Sequence, residues 1–511
     1  MAWSELELES SRLPTPLPVW RTTVDRNGWL AVARHAAGTG ARLVSLWGAE
    51  GERGPSAHAA FAGADGLLCL ELPLDTARRS PDLAAMFPYA TRMQRAVADL
   101  SGLQADGARD DRPWLDHGLW AGPAPLAAGS QPHGASPDEL PSDYAFVRVE
   151  GDGVHEIPVG PVHAGIIEPG HFRFSVVGEK VLRLEERLGY KHKGIERRFT
   201  ELAPLDAHRL AGRVSGDSTV AFAWAYCMAL ESVAEALIPG RAEWLRALML
   251  ERERVANHLG DLGALGNDAA LAFGLAQFSR LREDWQRLSR EAFGHRLMMD
   301  AVVPGGVAAD LSMPQRDVLR QQCDAVERDL RRLRQIYDEH AGLQDRFMTT
   351  GRVTPELAAQ LGLTGMAGRA SGQAHDLRCD HGWQPYRRLR TKIATQTGGD
   401  VAARVAVRFD ELFESLRLIH ELCSGLPAGA VAGPVTPPSN EASGIGWVEG
   451  WRGEVLVALH LGADGRIARC HCHDPSWQNW PVLEYAVIGN IVPDFPLINK
   501  SFNLSYSGHD L

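Results

Sequence analysis

Arg213-Val214-Ser215-Gly216-Asp217-Ser218 is a short polar turn with two hydroxyls three positions apart and a carboxylate between them. It stands directly before residues 219–237 (TVAFAWAYCMALESVAEAL), which are apolar almost all the way round. A helix of that composition is buried rather than laid on the surface. The turn is therefore carried into the interior by a helix start, whose backbone N–H groups are unpaired and available for binding.

Other candidates for chemistry cluster elsewhere. Residues 160–198 carry His163, Glu168, His171, His192 and Glu196 in a stretch broken by glycine and proline. The same spacing also suits a twisted sheet with a surface loop and a charged helix start. Cys470-His471-Cys472-His473 has the residue types of a metal tract. On a strand, however, alternate residues point to opposite faces, so the four cannot converge on one tetrahedral ion. Glu251, Arg254 and His258 share a helix face and are expected as an intrahelical ion pair plus a packed histidine. Trp477 and Trp480 read as core or interface anchors. Asp310, Asp376 and Asp400 each follow a glycine-containing turn and read as helix caps.

The elements that must position these groups fall into two blocks. Residues 1–120 read as a small α/β domain, with helices over 31–37 and 89–100 and strands over 41–47 and 66–72. Residues 121–143 are rich in Pro, Gly, Ala and Ser and read as a linker. The second domain, 144–511, opens on a strand-like stretch over 144–154 and becomes mainly helical from residue 219. Helices are expected over 244–262, 278–297, 314–341 and 400–424, the last stopped by Gly425 and Pro427. Strands over 454–461 and 466–473 flank Ala463-Asp464-Gly465, a hairpin turn. The expected fold is α+β: a small α/β N-terminal domain and a mainly helical large domain with peripheral β-hairpins.

Composition sets outer limits. The chain has 511 residues, 45% of them hydrophobic, so it can bury more than one core, and its formal charge of −11 argues against nucleic acid as a partner. No apolar run is long enough to span a bilayer, and the acidic start lacks the apolar region of a secretory signal, so the cytoplasmic side is expected. Seven cysteines are scattered with no CxxC, which leaves the chain without the usual signature of an iron–sulfur cluster or zinc ribbon.

Several stretches then resemble one family. They are residues 160–196, Leu250 to Gly263 (LERERVANHLGDLG), Pro304-Gly305-Gly306-Val307, residues 369–386 (RASGQAHDLRCDHGWQPY), 448–454 (VEGWRGE) and 494–511 (DFPLINKSFNLSYSGHDL). Together they resemble the catalytic subunit of membrane-bound nickel–iron hydrogenases and the related quinone-site subunit of respiratory complex I. The N-terminal block is similar to the accessory subunit of complex I through Phe87-Pro88, Arg95, Asp99, Gly102, Arg112 and Pro113. The order of accessory unit, linker and large unit resembles formate hydrogenlyase large subunits and the hydrogenase-four component.

The resemblance implies roles, and the departures from it carry weight. Glu168 resembles the proton-handling glutamate beside the metal site, and Arg452, with Glu449, the arginine aimed into the same cavity. His163 or His171 stands where complex I places a quinone-binding histidine; the tyrosine expected after the arginine of the turn is missing, with Gly216 in that loop. The family's four metal-binding cysteines correspond to Ser215 and Ser218, following Arg213, and to Ser505 and Gly508. Serine is a poor substitute for a soft thiolate. The resemblance thus implies a core subunit of a complex I-like or hydrogenase-like, membrane-associated NAD- or hydrogen-linked complex, with no nickel–iron centre. Its cavity would serve a quinone or proton coupling, and iron–sulfur clusters would sit in partner subunits. The implied partners are an iron–sulfur small subunit and antiporter-like or other integral membrane subunits, with the chain peripheral on the cytoplasmic side of the cell membrane. A non-catalytic structural subunit and an active hydrogenase or formate hydrogenlyase large subunit stand as alternatives.

Overall fold

The computed structural model describes residues 3–6, 8–51, 54–120, 122, 124–127, 144–164 and 167–511. Of the expected linker only residue 122 and residues 124–127 fall among them. The described residues form helices and several small sheets, an α+β arrangement.

The N-terminal block is a five-stranded sheet with helices against it. The strand order is Ser11–Arg12, Val19–Thr23, Gly66–Pro73, Gly54–Gly63, Arg42–Gly51, antiparallel except where Val19–Thr23 runs parallel to Gly66–Pro73. Helix Arg26–Thr39 starts where the Asp25 carboxylate accepts from the Gly28 N–H at 2.7 Å, and it buries Trp29, Val32, Ala33 and Ala36. The second helix, Ala90–Ser101, holds the two polar residues of the accessory-subunit motif. The Asp99 carboxylate accepts from the N–H groups of Trp114, Leu115 and Asp116, and Arg95 donates to the Arg112 and Pro113 carbonyls. Those contacts fold the end of the block back onto its helix.

The large block is built around the buried helix Thr219–Val233, buried throughout from Thr219 to Ser232. It lies on strand Ala442–Glu449 of the C-terminal sheet, whose order is Ala442–Glu449, Glu454–Leu461, Ile467–His473. Glycine makes that approach possible. A Cβ on Gly446 would lie 1.8 Å from the Ala225 carbonyl oxygen, and one on Gly444 2.2 Å from that of Ala229. Helices Gly240–Asp268, Ala272–Phe293, Met313–Glu339 and Val401–Gly425 pack around this centre. Each large apolar side chain they bury contributes roughly 1.5–3 kcal/mol.

The two blocks share cores. One apolar cluster joins Val44, Trp47 and Cys69 of the N-terminal sheet to Ala458, Cys470 and the buried helix, and a second joins Trp29 and Phe61 to Trp477, Trp480 and Phe502. Trp47 stacks on His471 with ring centres 5.1 Å apart, and Arg469 donates to the Gly48 carbonyl.

Three expectations shift. Residues 144–153 form no strand; pairing begins at Val154–Val159, after Gly151 and Gly153 at positive φ. The buried helix ends at Val233, four residues before residue 237, with Glu235 at positive φ. Asp376 and Asp400 cap helices as expected, but Asp310 does not. It pairs with Arg241, while Ser312 caps the helix that follows.

Candidate functional site

The polar turn and the C-terminal tail meet. Gly216–Ser218 is a single helical turn leading into the buried helix, and Ser505 is the N-cap of Tyr506–Asp510. The Ser215 and Ser505 hydroxyl oxygens lie 3.0 Å apart, in a hydrogen bond. Ser215 also donates to Asp217 Oδ1 at 2.6 Å, and the Gly508 N–H donates to Ser505 Oγ at 2.8 Å.

Arg452 closes the other side. Its guanidinium donates to both oxygens of Asp217, at 2.9 and 2.5 Å, and its Nε to the Asn503 carbonyl at 2.6 Å. It lies 4.0 Å from the ring centre of Trp451, whose indole N–H donates to the Asp217 carbonyl. Burial pushes the Asp217 carboxyl up, but the Arg452 charge and hydrogen bonds outweigh it and hold the group below its ordinary range.

The loop carrying Arg452 is fixed from beneath. Arg254 donates to the Gly450 and Glu449 carbonyls, both at 2.9 Å, and contacts Glu251 three residues earlier. His258 pairs with Glu411 at 2.8 Å. Glu251, Arg254 and His258 thus belong to a buried ion network that also contains Arg369, Arg378, Asp376 and Glu411. Glu449 joins it through Arg369, at 2.9 Å. Glu449 does not pair with Arg452, whose carboxylate partner is Asp217.

Two further buried carboxyls border the site. Glu253 accepts from the Val220 and Ala221 N–H groups at the start of the buried helix, at 2.7 and 3.2 Å, and burial pushes it up to about 8. Asp474 is fully buried and raised by desolvation. Its Oδ2 has no hydrogen-bond partner and faces Gly508, where a Cβ would lie 2.5 Å from it. Neither was singled out from sequence; an acidic residue just before a helix start (Asp474) and one directly preceding Arg254 (Glu253) were the only signals.

The remaining sequence candidates separate. Glu168 reaches the tail: one oxygen accepts from the Ser507 N–H at 3.1 Å and the other from its hydroxyl. Arg213 turns away and is bidentate on Asp300, at 2.6 and 2.8 Å. His163 Nε2 bonds the Gly170 carbonyl at 2.8 Å and His171 Nδ1 the Gly160 carbonyl at 3.2 Å. In the neutral ring a nitrogen facing a carbonyl carries the proton, which leaves His163 Nδ1 as an acceptor, while His171 Nε2 already accepts from Arg173 Nε at 3.4 Å. His192 bonds the Asp510 carbonyl, and Glu196 bridges Arg469 and His471. Along Ile467–His473 the cysteines and histidines alternate in direction; His471 meets Ser45 and Glu196, and His473 meets Gln478.

Three hydroxyls, two of them bonded to each other, and a glycine do not fit a nickel–iron centre. Ser215, Ser218 and Ser505 offer hard neutral oxygens and Gly508 offers nothing, so the soft thiolate donors that such a centre takes are missing. Burial favours the protonated form of Glu253 and Asp474, while Asp217 is held ionised by Arg452.

Comparison with known proteins gives consistent kinship. Residues 268–443 match the model of the 49 kDa subunit of respiratory-chain NADH dehydrogenase. The chain is 31% identical over 437 residues to formate hydrogenlyase subunit 5 of Escherichia coli, covering 84% of this chain and 76% of that one. It is 33% identical over 352 residues to the carbon monoxide-induced hydrogenase of Rhodospirillum rubrum, covering 68% of this chain and 97% of that one. Among solved structures, a chain of the membrane-bound sulfane sulfur reductase, an archaeal respiratory membrane complex, shares the fold with a TM-score of 0.66 at 24% identity, over 70% of this chain and 99% of that one.

Proposed function

The chain belongs to the family of complex I 49 kDa-type subunits and membrane-bound hydrogenase large subunits, and from that premise we propose that it is a core subunit of such an oxidoreductase complex working without a nickel–iron centre. The observation that carries this reading is the Ser215–Ser505 hydrogen bond, with Ser218 and Gly508 at the other two former thiolate positions. The family scaffold is kept and its metal-holding chemistry is replaced by hydroxyls and a guanidinium–carboxylate pair.

In this reading the chain conducts protons, or takes a quinone, while partner subunits hold the iron–sulfur clusters. The acceptor nitrogen on His163 suits the hydroxyl of a reduced quinone better than the carbonyl of the oxidised form. Among the described residues no helix is long and apolar enough to cross a membrane, so membrane subunits would supply attachment, with this chain peripheral on the cytoplasmic side. The exposed apolar set Val177, Leu182, Tyr485, Ile488 and Ile491 supports docking of a partner.

The test uses the complex purified from membranes. Nickel well below one per complex is expected; stoichiometric nickel sinks the proposal. A quinone analogue is expected to perturb the iron–sulfur spectrum of the reduced complex. A second reading, a purely structural subunit, is favoured by Glu168, whose two oxygens are both engaged by Ser507 in what amounts to a tie for the tail. Glu168→Gln separates the two: slowed turnover of the assembled complex supports proton handling, and unchanged turnover supports the structural role.

A further inference from the structure

We propose that the cleft between the N-terminal sheet and the C-terminal sheet is a binding site for a small, uncharged aromatic molecule with hydrogen-bonding substituents. Among the described residues the cleft is lined on one wall by Trp47, Ser56 and His58 and on the other by Ser443, Ile445 and His460, and it encloses a cavity of about 70 Å³. Stacked sheets normally fill the space between them by interdigitating side chains. Here Ala49, Gly54, Gly444 and Ala458 line the gap and are too short to fill it.

Three observations select the ligand's chemistry. Leu70, Ile445 and Leu459 provide apolar surface, which a ring covers and water does not. Each wall carries a hydrogen-bonded serine–histidine pair: Ser56 with His58 at 2.8 Å, and Ser443 with His460 at 2.7 Å. These face the gap from opposite sides and suit polar groups at the edges of a ring. His58 is also held flat against Trp47, with ring centres 5.2 Å apart and planes 9° from parallel, so its orientation is set before anything binds.

Charge argues against an ion. Most charged side chains in the walls are already paired: Arg21 with Glu71, Arg469 with Glu196, and Glu50 with Arg78, while Glu441 lies 3.3 Å from His460 Nε2. Both histidines are kept neutral by burial, which lowers His58 to about 3 and also lowers His460. An anion would find no unspent counter-charge, and the one carboxylate facing a neutral partner, Glu441, is 40% exposed and screened by water. The cleft is remote from the Ser215–Ser505 contact in its residues, sharing none with it.

Saturation-transfer NMR on the full chain tests this with three probes of one size: phenol, benzoate and benzylamine. Phenol is expected to bind, with benzoate and benzylamine giving at most a tenth of its signal. Ala458→Phe, which fills the cleft, is expected to cut the phenol signal at least tenfold. Ser443→Ala, which removes only the hydroxyl, tests the same cleft without filling it and is expected to weaken phenol at least threefold. No phenol signal, benzoate as strong as phenol, or a phenol signal unchanged in folded Ala458→Phe or Ser443→Ala overturns the proposal.

Discussion

Ser215 and Ser505, 290 positions apart in the chain, meet in a single hydrogen bond of 3.0 Å between their hydroxyl oxygens. The contact joins the entry to the buried helix with the start of the last helical turn. Because Ser215 also donates to Asp217, and Asp217 receives Arg452, one small network of side chains ties three distant segments together. Four predictions follow from the geometry around it.

Arg452→Met should leave Asp217 without its counter-charge. Breaking a buried pair costs about 3–5 kcal/mol, and since the Asp217 side chain is 33% exposed a loss of about 2–4 kcal/mol is expected. The Asp217 pKa is depressed in the folded state, so its contribution is present above the unfolded value near 4 and is lost as pH falls through the folded value. Urea midpoints measured from pH 7 downward should therefore show a steeper acid limb in the native protein than in Arg452→Met. Parallel limbs would contradict the pairing.

Glu253 carries the opposite sign. Its folded pKa, about 8, lies above the unfolded value near 4.5, so the native state keeps a proton that the unfolded state has released. Stability should fall as pH rises between about 4.5 and 8, by on the order of a few kcal/mol, and level off above. Glu253→Gln keeps an acceptor for the helix N–H groups and removes the proton. The variant should match the native protein near pH 5 and exceed it at pH 8; a variant that is weaker at both values would refute the assignment.

Gly508 is hemmed in by a carboxylate. A Cβ there would lie 2.5 Å from Asp474 Oδ2 and 3.0 Å from Ser505 Oγ. Gly508→Ala is expected to cost about 1–3 kcal/mol by overpacking. Asp474→Ala removes the obstructing oxygen, so the double variant should lose less than the sum of the two single losses. Strict additivity in denaturation midpoints would show that the two positions do not touch.

Gly446 is held more tightly still, with a backbone carbonyl 1.8 Å from where a Cβ would stand. Backbone cannot swing aside as a side chain can. Gly446→Ala should therefore force strand and helix apart, at a cost above roughly 3 kcal/mol. Gly429→Ala, where no atom lies within 4 Å but φ is positive, serves as a milder reference. Soluble yield and thermal midpoint of the two variants, compared side by side, give the answer.

The scaffold was legible because its signals are local. The apolar run after residue 219, the Asp376 and Asp400 caps, and the alternation over 470–473 each act within a few residues. The serines at former thiolate positions were legible for a different reason, through family motifs. Partner choice was not. Arg452 stands three residues from Glu449 in sequence, yet a strand end separates them and sends Glu449 into the Arg369 network while Arg452 crosses to Asp217, 235 positions away. Arg213 shows the same limit: adjacent in sequence to the site, it faces Asp300 instead. Nothing local says which of two nearby carboxylates a guanidinium will find.

The N-terminal sheet and the C-terminal sheet share one apolar core within a single chain. Translation therefore delivers the two units in a fixed ratio of one to one, at an effective concentration that separate subunits reach only by abundant synthesis. A cell making this protein need not balance two transcripts or protect an orphan subunit whose Trp47 face would otherwise be left to water. Assembly begins one encounter ahead.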